Sequence, residues 1–474
     1  MSNKFHFISD FPYLLCMTFG YLLKRAIKKP LESKNKSKCK QIFVCGFSLL
    51  TASSIVNSSP VIHSDTIVFQ NFSESIVLHK VFEQQYTIEG TKKKVTLANR
   101  LIVKTSQAKE LLFQYHPQIT QVTKLFQGTT FNYFSLMLTS EAFLADVIAT
   151  LQTSKAIELV QPDILQLQPA LERIVDVKST AALTAVEKKA ERIARRKKLA
   201  VEQKLLLATG APYLTEHIKN MWNTTQGDGV KVAIIDDGFD LQHSDLRHVK
   251  QLFTYDIENN DTTVKSPNFY QQHGTQVAGV IFAEHNQQGI DGIAPKAGII
   301  AIRQPSSWTS NTLLAFQLAQ LAGADIINNS WHTQHLFEPI ADVVNDLVVN
   351  GRDGLGVAVV FSAGNSGVEL SAFGSEALVD KAIVVGATGE NGQRLASSNF
   401  GDSVDFFTYG DSALSTSNHN KYKEFSGTSL SAAITSGMLA LVFSQNEKIP
   451  LKQAIDTLFQ KNCLKIINTT KISH

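Results

Sequence analysis

From residue 212 onward, short apolar runs alternate with longer segments in which apolar residues recur at helical spacing. The predicted strands are 230–235, 298–302, 324–328, 357–361 and 382–385, and the predicted helices are 273–283, 310–322, 339–349 and 428–443. Strands that alternate with helices pair in parallel through right-handed crossovers. This pattern therefore predicts an α/β domain built around a parallel sheet.

Polar residues stand where several of these predicted strands end. Asp236, Ser330 and Asn365 lie at or just after strand ends. Because the carboxyl ends of parallel strands meet at one edge of a sheet, catalytic loops gather there. No glycine-rich phosphate loop or dinucleotide fingerprint follows the first strand of this domain, so the edge is not predicted to bind a nucleotide.

Three motifs in this region carry an acid, a base and a hydroxyl. Asp236 precedes Asp-Gly, His273 opens His-Gly-Thr, and Ser429 ends a Gly-Thr-Ser turn before an apolar helix. Each motif alone is an ordinary turn or helix start. A serine hydroxyl is a poor nucleophile at neutral pH, so here it needs a neighbouring imidazole as general base, and that imidazole needs an acceptor to fix its tautomer. The order of the motifs therefore predicts acyl transfer by Ser429, His273 and Asp236.

Two features predict where the negative charge of that reaction would be stabilised. The helix that begins near Ser429 brings its positive end and its free amides to the reacting oxygen. Asn365 lies on a glycine-flanked turn and has a side-chain amide to donate. We therefore expect Asn365 to contribute to an oxyanion hole.

Across residues 212–460, these motifs resemble those of the subtilisin-like serine peptidases, the subtilase family, whose acid, base and nucleophile follow in this order. The resemblance implies a three-layer α/β/α fold and assigns the acid to Asp236 rather than Asp237. The doubled Asp-Asp-Gly and the pair Ser330-Trp331 are similar to the kexin-like branch. However, the acidic cluster expected after that pair is missing, and little chain follows Ser429 for that branch's β-rich domain. Strict dibasic specificity is therefore not predicted.

The resemblance also implies substrate-binding residues. One wall of the cleft, which pairs with the substrate backbone, is Ser330, Trp331 and His332. The opposite wall of the pocket for the residue before the scissile bond is Ser362, Ala363 and Gly364, and the floor of that pocket is Gly374. A glycine floor implies room for a large apolar or aromatic side chain. The nearby Glu376 leaves a preference for basic residues open.

Three positions depart from the family pattern. Gln276 replaces the second histidine of His-Gly-Thr-His, Ala433 replaces a proline after the nucleophile, and His332 stands at a common glycine position. None of these changes removes a catalytic group. We expect them to tune specificity or deacylation, with His332 adding bulk along the substrate cleft.

A structural calcium is implied only by resemblance, and the chemistry itself needs no cofactor. Asp245 and Asn286 fall where family members supply oxygen ligands. Calcium takes six to eight oxygens, and two side chains do not make a site. A solvated turn is the alternative for this pair.

Residues 99–168 read as strand, helix, strand, strand, helix, strand. Subtilases are similarly preceded by an inhibitory propeptide of this ferredoxin-like βαββαβ topology, so we expect a prodomain whose final strand and tail occupy the cleft. A permanent interaction domain is the alternative. Residues 61–98 are expected to be an irregular pro-region, and residues 169–211 a charged helical linker. Its basic run 195–198 is either a cleavage site or a solvated helical face.

Residues 1–60 predict targeting. The apolar runs 11–23 and 42–56 flank a lysine-rich stretch, and both are short for a membrane span of about 20 residues. The second run ends in small residues, as a secretory signal does. We expect a secreted or periplasmic protein, with a membrane anchor or a later true start as alternatives. Three of the four cysteines precede residue 50, which excludes a disulfide framework in the body of the chain.

Together these features predict a secreted serine endopeptidase that forms an acyl-enzyme on Ser429. The expected partners are protein or peptide substrates and the chain's own prodomain as inhibitor. A net charge of +3 gives no reason to expect nucleic acid, and we expect a monomer. Two alternatives remain, namely a catalytically silent scaffold that binds a partner and a transpeptidase or ligase that uses the same chemistry.

Overall fold

The computed structural model describes residues 65–140, 143–166, 211–268, 270–370 and 375–460, with side chains through residue 458. The predicted leader 1–60, nearly all of the linker 169–211 with its basic run 195–198, and Gly374 lie outside the described residues.

A seven-stranded sheet forms the centre of the C-terminal region. The strands are β8 (Lys231–Asp236), β9 (Gln251–Asp256), β10 (Gly298–Arg303), β11 (Ile326–Asn329), β12 (Ala358–Ser362), β13 (Ile383–Thr388) and β14 (Phe406–Tyr409). Their order across the sheet is β14-β13-β12-β11-β8-β10-β9, and every neighbouring pair is parallel. The predicted parallel α/β sheet is confirmed. The edge strands β9 and β14 were not predicted; β9 is half-exposed and lacks an apolar run.

Apolar residues on both faces explain the unbroken apolar runs of the strands. Within β8, Val232 and Ile234 face one helical layer, whereas Ala233 and Ile235 face the other. Both faces are covered, so side chains pointing either way must be apolar. The helices are α3 (Glu216–Met221), α4 (His273–Phe282), α5 (Thr309–Leu321), α6 (Glu338–Asn350), α7 (Thr428–Gln445) and α8 (Leu451–Gln460).

The two helical layers differ in what lies outside them. Helices α4 and α7 pack on one face of the sheet, with the hairpin of β15 (Ala413–Ser417) and β16 (Lys421–Phe425) beside α4. Helices α5 and α6 pack on the other face. Among the described residues, α7 alone has the length and apolarity of a membrane span, and 89% of it is buried inside the protein. Its composition is therefore that of a core helix.

A second seven-stranded, antiparallel sheet forms the region before the linker. Its elements are β1 (Thr66–Asn71), β2 (Glu74–Phe82), β3 (Gln85–Ile88), β4 (Lys94–Thr105), α1 (Lys109–Leu112), β5 (Ile119–Gln127), β6 (Asn132–Leu138), α2 (Leu144–Gln152) and β7 (Leu159–Gln166). Strands β1 to β4 follow in order, β6 and β5 come next, and β7 pairs with β4. From β4 to β7 the elements are therefore strand, helix, strand, strand, helix, strand.

The expectation of an irregular segment at 61–98 is wrong. Strands β1, β2 and β3 lie there, and β4 begins at Lys94, before the expected boundary. Ile67, Phe69 and Asn71 are buried while the residues between them are exposed, which is the alternation of a half-buried strand. Strand β1 has only six residues and ends at the polar Asn71, so its alternation of buried and exposed residues is too short to predict a strand from the sequence.

The N-terminal sheet packs against α5 and α6. Ile102, Phe126 and Tyr133 belong to the same apolar cluster as Phe316 and Val344 of these helices. Polar contacts border this cluster, since Lys104 Nζ and Tyr133 Oη both bind Asp342 Oδ2, at 2.7 and 2.6 Å. The described residues between 65 and 460 form one compact unit.

Candidate active site

Asp236 and His273 meet at the carboxyl edge of the parallel sheet. Asp236 is the last residue of β8 and its side chain is 3% exposed, while His273 is the first residue of α4. The His273 Nδ1 atom lies 2.9 Å from both carboxylate oxygens of Asp236. A Cβ on Gly274 would lie 2.6 Å from the Gly238 carbonyl oxygen, so only glycine lets α4 start this close to β8. This pairing leaves Nε2 of His273 as the nitrogen available for proton transfer.

A second carboxyl group, on Asp237, lies beside the pair. Asp237 Oδ1 accepts a hydrogen bond from the Gly274 amide at 3.1 Å, at the N-terminus of α4. Burial and the charge of Asp236 raise the pKa of Asp237 to about 7. Burial alone would lower the pKa of His273. The charge and hydrogen bond of Asp236 and the charge of Asp237 outweigh it and raise that pKa to about 9.

Ser429 lies in the first turn of α7, after the positive-φ residue Gly427 (φ +83°). It is 7% exposed, and its hydroxyl donates to the Ser330 carbonyl oxygen at 2.9 Å. The Ser330 hydroxyl in turn donates to the Ser429 carbonyl oxygen at 3.2 Å. The His273 ring packs edge-on against Phe425, the last residue of β16, with ring centroids 5.4 Å apart. Helices α4 and α7, which carry His273 and Ser429, pack against each other.

The side chain of Asn365 is held in one orientation by the start of α7. Its amide oxygen accepts the Thr428 backbone N–H at 2.9 Å and the Thr428 hydroxyl at 3.1 Å. With the oxygen bound there, the Nδ2 donors point the other way. The first amides of a helix have no partner within the helix, so the Ser429 N–H is a second donor beside the hydroxyl. Asn365 Nδ2 and the Ser429 amide are therefore the two donors available to an oxyanion.

The predicted substrate walls leave two adjacent strands of the sheet. Ser330, Trp331 and His332 follow β11, and Ser362, Ala363 and Gly364 follow from the end of β12. The Trp331 indole N–H donates to the Ile235 carbonyl oxygen at 2.8 Å, and the Gly364 N–H donates to the Thr428 hydroxyl at 3.0 Å. The two walls therefore lie side by side, and each contacts Ser429 or Thr428.

Glu376 is fully buried behind the first wall. Its carboxylate accepts the Thr333 backbone N–H at 2.7 Å and the Thr333 hydroxyl at 2.5 Å, and burial raises its pKa. The basic-residue preference considered from its sequence position would need this carboxylate to face a substrate cation. In this structure it instead binds the segment that carries His332.

Two departures from the family pattern have structural partners. The Gln276 amide donates to the Glu424 carbonyl oxygen at 3.1 Å, which ties α4 to β16. Ala433 is fully buried within α7, where a proline would remove a helical hydrogen bond. The helical bond of the Ala433 N–H ends on the carbonyl oxygen of Ser429, four residues earlier in α7, whereas the described bonds of Gln276 do not reach Ser429.

The candidate calcium ligands do not fit a cation cage in this geometry. Asp245 accepts hydrogen bonds from the Ile290 amide at 3.0 Å and from the Tyr422 hydroxyl. Asn286 accepts the Gln288 amide at 2.8 Å, and its own amide donates to Glu284 at 2.9 Å. Protein donors thus bind oxygens of both side chains. Among the described residues, no group of three His, Cys, Asp or Glu side chains could hold a metal ion.

Sequence reasoning missed the side chains that hold the site rather than perform its chemistry. Thr428 fixes Asn365, and Asn399 binds the turn at Ala363 and Gly364. Thr428 could have been found, because it stands next to the nucleophile in the motif. Asn399 lies in a loop without regular pattern, and nothing in the sequence marks its contact with residue 363.

Comparison with known proteins gives one family. A model described as the subtilase family matches residues 227–465. A thermophilic serine proteinase of Bacillus sp. (strain AK1) is 35% identical over 251 residues, covering 51% of this chain and 59% of that protein. Thermitase of Thermoactinomyces vulgaris is 32% identical, covering 51% of this chain and 84% of that protein. A calcium-dependent protease of Trichormus variabilis is 27% identical, covering 53% and 44%.

Proposed function

Since this chain belongs to the subtilase family, we propose that it is a secreted serine endopeptidase that cleaves peptide bonds through an acyl-enzyme on Ser429. One observation carries the proposal. Asp236, His273, Ser429 and Asn365 come from four separate segments, and two bonds support the proposed grouping: Asp236 Oδ1 lies 2.9 Å from His273 Nδ1, and Asn365 Oδ1 accepts the N–H of Thr428, the neighbour of Ser429, at 2.9 Å. The substrates are protein or peptide chains, and a single copy of this chain supplies every catalytic group.

The first half of the proposed reaction forms the acyl-enzyme. Nε2 of His273 takes the hydroxyl proton of Ser429 as its oxygen attacks the peptide carbonyl carbon. The carbonyl oxygen becomes an oxyanion that accepts hydrogen bonds from Asn365 Nδ2 and the Ser429 amide. Asp236 stabilises the imidazolium that forms, in keeping with a His273 pKa of about 9. The imidazolium then protonates the leaving amine, and the peptide bond breaks.

The second half releases the product with the same residues. Water enters beside His273, which takes one of its protons while the oxygen attacks the ester carbonyl of Ser429. The same two donors bind the second oxyanion. Its collapse returns the proton to Ser429 and frees the carboxylic acid. Transpeptidation is the case in which an amine replaces this water, and no contact of the described residues favours it.

Inhibition by the N-terminal region is the second part of the proposal. The end of β7 contacts two segments near the site, since the Ser307 hydroxyl donates to the Gln166 carbonyl oxygen and the Gln166 amide donates to the His335 carbonyl oxygen at 2.8 Å. Leu165 also forms a bridge with Trp308. These contacts support a prodomain whose last strand leads the chain toward the cleft. A permanent interaction domain would make the same contacts but would not be removed.

Labelling with a fluorophosphonate tests the enzyme proposal. Processed protein should be labelled on Ser429, and S429A should not. Ser431→Ala is the matched control, because Ser431 is buried in the same helix and its hydroxyl donates to the Tyr409 carbonyl oxygen at 3.0 Å, away from His273. S431A should keep its label. A processed wild-type protein without label would contradict the proposal and favour the silent scaffold.

A further inference from the structure

A hairpin tip is bound to the loop that follows the strand of Asp236. The tip, residues 418–420, joins β15 to β16. The His419 N–H donates to Asp240 Oδ2 at 2.8 Å, and Asn420 Oδ1 accepts the Ser244 N–H at 2.6 Å. Both partners belong to the loop between β8 and β9. The third residue of the tip, Asn418, is thereby held beside the start of α4.

The side chain of Asn418 bonds to the chain on both sides of His273. Its Nδ2 donates to the Gln271 carbonyl oxygen at 2.9 Å, and its Oδ1 accepts the Thr275 hydroxyl at 3.0 Å. Gln271 lies two residues before His273, and Thr275 lies two residues after it. A carbonyl oxygen can only accept, so the Gln271 bond sets which way the Asn418 amide points. One buried side chain, 7% exposed, thus spans the turn that carries the imidazole.

Helix α4 has no side-chain cap of its own at this end. Gln272 occupies the N-cap position with φ −135° and ψ 1°, and its side chain caps no amide of the helix. Gly274 follows His273, and glycine restricts the backbone less than any other residue. The first turn of a helix also lacks internal partners for its amides. The position of His273 therefore depends on contacts from outside the helix, and Asn418 supplies two of them.

The backbone of the tip is in a conformation that its residues rarely adopt. His419 has φ +62° and Asn420 has φ +55°, both in the left-handed region that favours glycine. Non-glycine residues stay in that region only where surrounding contacts hold them, and such conformations cluster at active sites. The contacts here are those of the tip with the β8–β9 loop and with α4.

The same hairpin contacts the imidazole from its other end. Strand β16 ends at Phe425, and the Phe425 and His273 rings pack edge to face with their centroids 5.4 Å apart. Asn418 lies at the opposite end of the hairpin and binds the backbone around the same histidine. Three residues separate Phe425 from Ser429. The hairpin therefore connects the base to the segment of the nucleophile.

We propose that Asn418 is a positioning residue, which holds the start of α4 so that His273 presents Nε2 to the hydroxyl of Ser429. The inference rests on the proposed function and adds a residue that acts through the helix start rather than on the reacting atoms. A base displaced by about 1 Å loses on the order of 100-fold in rate, although the substrate still binds. The loss of Asn418 is therefore expected in the catalytic step rather than in substrate binding.

Steady-state kinetics of processed Asn418→Ala test the inference. With a peptide amide as substrate, kcat of N418A should fall by about 10- to 100-fold while KM stays within about twofold of wild type. A residue that only stabilises the fold changes the amount of active protein instead. All rates are therefore divided by the fraction of protein that a fluorophosphonate labels at completion.

Thr275→Val and Thr275→Ser test the other partner of the same bond. T275V keeps the shape but removes the hydroxyl, and its kcat should fall by about tenfold. T275S keeps the hydroxyl and should stay near the wild-type kcat. The Thr275 hydroxyl also accepts the Asp240 N–H at 3.0 Å, so N418A is the cleaner of the two losses.

Asn420→Ala is the matched control. Asn420 lies in the same tip, and its Oδ1 accepts the Ser244 N–H rather than a hydrogen from the turn at His273. Alanine removes that bond and must keep the left-handed backbone at φ +55°, which it tolerates poorly. N420A should therefore unfold at a lower urea concentration than wild type and keep the wild-type kcat per labelled molecule. A loss of kcat in N418A alone then reports position rather than stability.

The results that overturn the inference differ from those that overturn the peptidase. Labelled N418A with the kcat of wild type refutes the positioning role and leaves the peptidase intact. The same holds if kcat falls equally in N418A and N420A, or if only KM changes. If N418A is not secreted, T275V decides in its place, and a wild-type kcat in T275V refutes the role. Wild type without any label refutes the proposed function, and the inference with it.

Discussion

At the scale of residues, the site combines two carboxyl groups with one imidazole. Asp236 bonds to His273 Nδ1, whereas Asp237 binds the amide of Gly274 at the start of the same helix. The motifs in the sequence predict the acid, base and nucleophile, because these proposed roles follow from residue type and order. The role of Asp237 could not be predicted in this way. That role depends on the direction in which the Asp237 side chain leaves the end of β8 and on the Gly274 amide that it binds there.

Asp237→Asn should move the acid limb of the kcat/KM profile to lower pH. Removing this negative charge makes the imidazolium less favourable, so the pKa of His273 falls from about 9 and the neutral base is available at lower pH. If that pKa falls by about 1, the neutral fraction of His273 at neutral pH rises about tenfold. Asparagine keeps an oxygen for the Gly274 amide, so the helix start is retained. A pH series of kcat/KM on processed protein measures the change.

Asp240→Asn is the control for that series. Asp240 binds Lys265 at 3.0 Å and the His419 amide at 2.8 Å, rather than His273, and its loss removes the same charge. D240N should leave the acid limb where it is. An acid limb that stays fixed in D237N, or that moves to higher pH, would show that Asp237 does not act on the imidazole.

At the scale of elements, helix α5 is capped by a residue from another sheet. Its own N-cap position is Trp308, which has no capping side chain. Asp163 of β7 accepts the Ser310 amide at 2.9 Å and the Ser310 hydroxyl at 2.7 Å, and Arg100 binds the same carboxylate at 2.6 Å. Local sequence predicted where α5 begins, within one residue. It could not predict the cap, because Asp163 and Ser310 are 147 positions apart.

Asp163→Asn should destabilise the unprocessed chain by about 1–3 kcal/mol, since a buried acceptor loses its charge and turns a donor toward Arg100. Asp163 is fully buried, so water cannot replace the lost bonds. The measurement is the urea unfolding midpoint and slope of D163N in an S429A background, which prevents self-cleavage. Glu216→Gln in that background is the control, because Glu216 is 85% exposed and pairs with Lys219 at 3.4 Å. Equal midpoints for the two variants would contradict the capping role.

At the scale of the whole molecule, sheet topology brings the proposed catalytic segments together. Strand β8 lies between β10 and β11, so Asp236 and Ser330 leave neighbouring strands although much of the chain separates them. The alternation of strands and helices predicted that these residues lie at one edge of the sheet, because the carboxyl ends of parallel strands lie at the same edge. The alternation could not predict that the N-terminal sheet covers α5 and α6. That contact depends on side chains such as Phe126 and Phe316, whose partners lie in distant segments.

The last prediction concerns the connection between the two sheets. Strand β7 ends at Gln166 in contact with Ser307 and His335, and the next described residue is Ala211, just before α3. A chain that enters the cleft at Gln166 brings the residues that follow close to Ser429, where the same molecule can cut them.

Secreted wild type should therefore lose residues up to a point between 166 and 211, whereas S429A should keep them. Intact mass and N-terminal sequencing of both proteins give the cut, with S431A as the control that should be processed. If S429A is cut at the same bond as wild type, another protease removes the N-terminal region, and the cleft need not receive its own chain.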